Sequence, residues 1–429
     1  MRFRSGIVAL AAAGLVLTAC SSGDGGDTGA AGIASPAADT TATLKVWLMD
    51  GSQPQTVIDA VNAKFKQTYP NVTVDVQLQQ WAGIQDKLTT SLNSDSTPDL
   101  VEIGNSLTAK FADAGLLADL NANAAAIGVD GMLPGLKESG ELDGVRYGVP
   151  YYGGVRIVVY KKSDFEKAKV QVPTTLAELD TVAGKLQEAN KSNSKYSAFY
   201  FPGKYWYGAV PFVWTNGGDI ATQDDAGTWT GTLNSAESVK GLTQLKDLVD
   251  KYSQAPKDGD ETKNVDAFNT GNVGMMIDSW WAPGALDTGK FKGDVGVFAL
   301  PGVDASATAP VFFGGSDLGI SAKSKNQGLA LEWMKLLTGL EIQTQLAREG
   351  GVIPNQEGAF VGHEGNPFLL VADEASKNSR FTPVSPNWAN VESSQVLQDM
   401  LVKIFTGAAS VEDATTAASD QITTTLNGS

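Results

Sequence analysis

The side chains in this sequence best suited to a chemical task are rings. Tyr151-Tyr152, Tyr205-Trp206-Tyr207, Trp214, Trp280-Trp281 and Trp388 stand beside Gly, Asn, Pro or Asp and not inside apolar strands. A ring offers a flat apolar face, and a neighbouring amide or carboxylate can hydrogen-bond hydroxyls. That combination suits the C–H faces and hydroxyl edges of a pyranose. Core packing is the competing explanation for any single ring. Two adjacent tryptophans cannot both point inward from a strand, so one of Trp280 and Trp281 is expected at the surface.

Catalytic groupings are scarce. The single histidine, His363, lies in a Gly-rich, Pro-containing stretch and reads as a solvated loop residue with no evident partner. The run 312–319 resembles a nucleophile elbow, but Ser316 lacks the second glycine two residues on, and no usable histidine base is available. Asp258, Asp260 and Glu261 lack the ligand spacing of an EF-hand, so no metal is expected. Neither a Walker loop nor a GxGxxG run occurs, and no cofactor is expected. With 48 acidic residues, a glycoside-hydrolase carboxylate pair stays open, and Asp99, Glu102, Asp278 and Asp317 are candidates that nothing in their spacing selects.

The balance of 48 acidic against 32 basic residues gives a net charge of −16, more negative still without Arg2 and Arg4. Such a surface repels phosphate backbones and anionic headgroups, which argues against nucleic-acid partners. Arg2 and Arg4 precede an apolar run from Gly6 to Ala19, shorter than the about 20 residues of a spanning helix, with small residues before Cys20. Residues 1–19 therefore read as an export signal. Leu17-Thr-Ala-Cys20 resembles a bacterial lipobox, which would make Cys20 the lipidated first residue of the mature chain. As the only cysteine, it allows no intramolecular disulfide, so stability rests on a core that 429 residues at 42% hydrophobic content can supply. Residues 20–42, rich in Gly, Ser, Ala and Thr, read as a flexible tether.

Elements to position those rings follow from periodicity. Thr43 to Met49 is β-rich; Val57, Ile58, Val61 and Phe65 share a helical face; Val72 to Leu78 alternates; Trp81, Ile84, Leu88 and Leu92 mark a second helix; and 99–103 is a third strand. This β-α-β-α-β order predicts an α/β domain with a largely parallel sheet, whose ligand loops follow the strand carboxyl ends at 50–53, 79–81 and 104–106. A second α/β region has strands at 155–161, 272–277 and 294–300 and helices at 174–188, 236–251 and 263–269. Two terminal helices are expected at 391–405 and 411–424.

Several stretches, in this order, resemble the substrate-binding lipoproteins of carbohydrate ABC importers, the family that includes maltose-binding protein. They are the lipobox at Cys20; Leu44-Lys-Val-Trp47 with Asp50; 98–105; 149–152 leading to 158–161; Trp214-Thr-Asn-Gly-Gly218; 272–281; 318–323; and Trp388 before the terminal helices. The resemblance implies an α/β, two-lobed periplasmic-binding-protein type II fold with a ligand cleft between the lobes. Lobe 1 would take 43–152 and 315–354, and lobe 2 153–314 and 355–429, with strands crossing near 152–154, 313–316 and 352–355. It implies Asp50, Gln80, Glu102 and Asn105 as polar contacts of the first lobe, and Tyr152 and Arg156 at the crossing. Tyr207, Asn216, Trp280 or Trp281, Gly315, Ser316, Asp317 and Trp388 would line the other wall.

The implied protein is a non-enzymatic, monomeric receptor, lipid-anchored outside the cell membrane, that passes a di- or oligosaccharide to a permease. An exported glycoside hydrolase and a receptor for a non-sugar solute are the rivals. After Val101 the chain reads Glu-Ile-Gly-Asn where maltose-binding protein has an aromatic residue, and this loop is more similar to binders of chito-oligosaccharide or other β-linked disaccharides.

Overall fold

The computed structural model describes residues 32–428, so the expected signal and Cys20 lie outside the described residues. Strand β1 (Ala42–Met49) serves two cores at once. Leu44, Val46 and Leu48 pack with helix α1 (Gln55–Thr68), while Trp47 and Met49 pack on the opposite face with α2 (Ile84–Asn93). Successive side chains of a strand point to opposite faces, and a parallel sheet covered by helices on both sides buries both sets. The buried residues of α1 are the expected Val57, Ile58, Val61 and Phe65. Each such side chain contributes about 1.5–3 kcal/mol on burial.

Strands β2 (Val72–Gln79), β3 (Leu100–Gly104), β4 (Gly148–Gly154), β9 (Gly314–Ile320) and β10 (Ile353–Pro354) join β1 in a six-stranded sheet of order β10-β4-β9-β3-β1-β2. Strands β1, β2 and β3 are parallel, and β9 runs antiparallel between β3 and β4. A second sheet has the order β8-β5-β7-β6, from β5 (Arg156–Lys161), β6 (Ser197–Tyr200), β7 (Val273–Ser279) and β8 (Val295–Phe298). These sheets are the centres of two lobes. Only Val155 separates β4 in one from β5 in the other.

Three expectations need correction. Residues 32–41, read as tether, lie against the body: Asn123 exchanges two hydrogen bonds with the Ile33 backbone, at 2.9 and 3.0 Å, and Ser35 donates to Glu332 at 2.7 Å. The composition suggests a coil, but the Asn123 amide supplies the pairing that the segment lacks by itself. Trp81 precedes α2 and is exposed, because Gly83 at positive φ starts that helix two residues later. The helix expected over 391–405 is two, 388–393 and 396–406, divided at Gln395 in the left-handed conformation.

Candidate functional site

Strand direction brings the expected residues together. The carboxyl ends of β1, β2, β3 and β4 and the amino end of β9 share one edge of the first sheet, which therefore carries Asp50, Gln80, Asn105, Tyr152 and Gly315-Ser316. The carboxyl ends of β6, β7 and β8 and the amino end of β5 share the corresponding edge of the second sheet, which carries Arg156 and Trp280. Because β4 passes directly into β5, the two edges form the walls of the cleft, where α/β sheets hold ligands.

On the first wall, Glu102 is 0% exposed. Its carboxylate accepts from the Met49 amide at 2.7 Å, the Ser52 hydroxyl at 2.7 Å and the Ser316 hydroxyl at 2.8 Å, while the Tyr152 hydroxyl lies 3.0 Å from that of Ser52. Burial pushes its pKa up to about 7 against the lowering pull of those donors. Expected as a ligand contact, Glu102 is instead a clamp that fixes the ends of β1, β3, β4 and β9. In front of it, Gln80 donates to exposed Asp50 at 3.1 Å, and Trp81 packs over Gly104. Asn105 is buried and donates to the Phe313 carbonyl at 3.3 Å, where β9's approach crosses from the second lobe.

Asp317 must also be removed from the ligand surface. Consecutive residues of β9 face opposite ways, so its carboxylate turns inward to Thr108 at 2.7 Å and Ser139 at 3.0 Å. Burial raises its pKa to about 7.

On the second wall, half-buried Arg156 lies with its guanidinium 4.5 Å from the centre of the Tyr207 ring and 5.6 Å from that of Phe312. Tyr207 is held there by helix α3 (Trp206–Thr215). Asp278, at the end of β7, has its pKa pushed up to about 7 by burial, against the Ser279 amide, the Arg156 charge and the Asn264 amide. Glu261 is raised by burial and lowered by the same arginine. Glu392 is raised by burial too, and it accepts from Ser106 of the first lobe at 3.1 Å, which closes a bridge across the cleft.

The crossing glycines answer to packing. A Cβ on Gly154 would lie 1.8 Å from the Trp280 ring, and one on Gly315 2.2 Å from the Tyr152 carbonyl oxygen. Trp280 is itself fixed by donation to the Gly351 carbonyl at 2.9 Å, so it ties two crossings together. Trp281 is the outward member of the pair, 52% exposed.

Three further expectations fail. Asn216 ends α3 at the pole opposite Tyr207, where it donates to the Phe212 carbonyl and to Gln244 at 2.9 and 2.8 Å. Trp388 is 1% exposed and packs edge-on against Trp206, so it supports the wall from behind. His363 is no solvated loop residue: it is fully buried between Asp373 and the Val352 carbonyl, at 2.8 Å each. The Gly-rich stretch around it folds as a 3-10 turn against the third crossing. Sequence reasoning overlooked Glu392, although its place one helical turn after Trp388 was a usable signal. A groove of about 1060 Å³ lined by Glu141, Arg146, Trp229 and Pro386 includes none of the expected residues.

The profile of the bacterial extracellular solute-binding proteins matches residues 50–344, more than half of the chain. The chain belongs to that family. It is 33% identical over 397 residues to the diacetylchitobiose binding protein DasA of Streptomyces coelicolor, covering 90% of each chain. It is 24% identical to the maltotriose-binding protein of Pyrococcus abyssi, over 76% of this chain and 71% of that one. Among solved structures, the GacH receptor of Streptomyces glaucescens superposes with a TM-score of 0.76 at 23% identity, over 91% of this chain and 100% of that one. The sugar-binding protein MalE of Xanthomonas citri does so at 0.79 and 20% identity, over 90% and 97%. These structures share the two-lobed fold. Family membership makes the chain an exported solute-binding receptor and not an enzyme, which sets the hydrolase reading aside. No helix among the described residues is long and apolar enough to cross a membrane.

Proposed function

We propose that this receptor captures an N-acetylated, β-linked disaccharide of the chitobiose type in the cleft and presents it to the permease of an ABC importer. The observation that carries this reading is the pairing of ring faces with polar groups at the two facing sheet edges: Trp81, Asp50 and Gln80 on one, Tyr207, Arg156 and Trp281 on the other. Rings stack on sugar faces and the polar groups meet their substituents. The diacetylchitobiose-binding relative, similar over nearly the whole chain, supports the choice of sugar. A ligand that touches both walls favours the closed lobes, because it makes all its contacts only there. In this reading the lobes divide at 152–154, 313–316 and 352–355, the protein works as a monomer, and Cys20 carries the lipid that keeps it at the membrane.

Calorimetric titration of diacetylchitobiose, cellobiose, maltose, trehalose and xylobiose into the purified protein tests the proposal. The acetylated disaccharide should bind tightest and be recovered uncleaved. Tighter binding of maltose, or of none of the five, would refute it.

A further inference from the structure

The second wall holds polar groups that the protein itself does not satisfy. Arg156 Nε has no hydrogen-bond partner, and no carboxylate lies within ion-pair distance of its guanidinium among the described residues. Nearby, the Tyr205 hydroxyl, Asp278 Oδ2 and Asn264 Oδ1 are likewise unpartnered, on side chains only 1%, 3% and 0% exposed. They form one cluster: the Arg156 charge acts on Tyr205, Glu261 and Asp278, and Asn264 lies against Asp278. Buried polar atoms are paired in all but a few cases, and a buried charge without a partner is costly. These atoms therefore mark a place that something else completes.

The charge of the cluster narrows what that is. A carboxylate or phosphate ligand would gain one guanidinium but meet Asp278, Glu261 and Glu392. A neutral group with both an acceptor and a donor meets no such repulsion. An acetamido group has a carbonyl oxygen for the guanidinium that lies over the Tyr207 and Phe312 rings, and an N–H for the Asp278 or Asn264 oxygen. A bare hydroxyl is a single atom and spans less of this cluster.

We infer that Arg156 is the residue that selects for the acetamido group, by donating to its carbonyl oxygen from its place over the Tyr207 ring. The inference rests on the proposed chitobiose-type ligand and adds the residue that distinguishes it from a plain glucoside.

The test compares affinities for diacetylchitobiose and cellobiose in the wild type, Arg156→Met and Arg156→Lys. A charged hydrogen bond contributes enough for the ratio of the two affinities to fall about tenfold to a hundredfold in Arg156→Met, with a smaller fall in Arg156→Lys. In the wild type, exchange of the acetamido oxygen for sulfur, a poorer acceptor, should weaken binding without any mutation, and so does not depend on the variants folding. A wild type that prefers the acetylated sugar, with that preference intact in Arg156→Met and in the thioacetyl sugar, overturns the role of Arg156 alone. A wild type with no such preference overturns the chitobiose reading itself.

Discussion

The two walls of the cleft carry similar residues and treat them in opposite ways. On the first, Glu102 and Asp317 are fully buried, and their oxygens are occupied by protein donors: the Met49 amide and the hydroxyls of Ser52, Ser316, Thr108 and Ser139. On the second, Asp278 is nearly as buried, yet Oδ2 has no partner, and neither have Arg156 Nε and the Tyr205 hydroxyl. All three carboxyls have a pKa near 7 because burial outweighs their donors. The lesson is that burial and a raised pKa do not separate scaffold from reader. The presence or absence of an internal partner does.

The largest effect that could break this comparison is the pH dependence of stability. The folded-state pKa of Glu102, Asp278 and Asp317 stands at about 7, above the ordinary 4.5 for Glu and 3.8 for Asp. The native protein then keeps protons that the unfolded chain has released, so this stabilisation is complete below about pH 4 and is lost as pH rises through about 7. Urea midpoints should fall between about pH 5 and about pH 8. Asp278→Asn should flatten that fall with little loss at the acidic end. A midpoint that rises with pH would show that these carboxyls are ionised without cost.

Next in size is Glu102→Ala, which leaves one amide and two hydroxyls without their acceptor in a sealed site. At about 1–3 kcal/mol for an unsatisfied buried group, it should cost about 3 kcal/mol or more, visible as a drop of several degrees in Tm. Asp278→Ala, which orphans fewer partners, should cost clearly less; equal losses would erase the distinction between the walls.

Gly154→Ala probes the join. Its Cβ would meet the Trp280 ring, so about 1–3 kcal/mol of stability should go, along with the spacing of the lobes. Thermal unfolding and small-angle scattering measure the two effects, and unchanged curves would mean that Trp280 is free to move. Smallest is Ser106→Ala, which removes the bridge to Glu392. A loss of about 1 kcal/mol, roughly fivefold in affinity, is expected with Tm nearly unchanged. A Tm shift without an affinity change would place that bond in the scaffold.

How much of this was legible beforehand depended on the range of the interaction. The face of α1 was readable because Val57, Ile58, Val61 and Phe65 recur with the helical period. So was the helix expected at 174–188, at whose start Thr175 accepts from the Glu178 amide at 3.1 Å. The strand ends that carry Asp50, Gln80 and Asn105 followed from the order of elements, and Arg156 at the crossing from the family resemblance. Burial of His363 did not, because its partners, the Asp373 carboxylate and the Val352 carbonyl, arrive from the next helix and the third crossing. Asn216 was set beside Tyr207 by the family resemblance, but the helix carries the two to opposite ends.

By itself, then, the sequence determined the alternation of strands and helices, the rings available for a ligand and the edge of the first sheet on which the loops would lie. These are local consequences of side-chain period and chain order. Only the tertiary structure decided which acids are clamps and which wait for a partner. That choice depends on donors more than 200 residues away, such as Ser316 on Glu102 and Thr108 on Asp317, and on their absence at Asp278. A carboxylate carries no mark in the sequence of whether its hydrogen bonds will be filled from within.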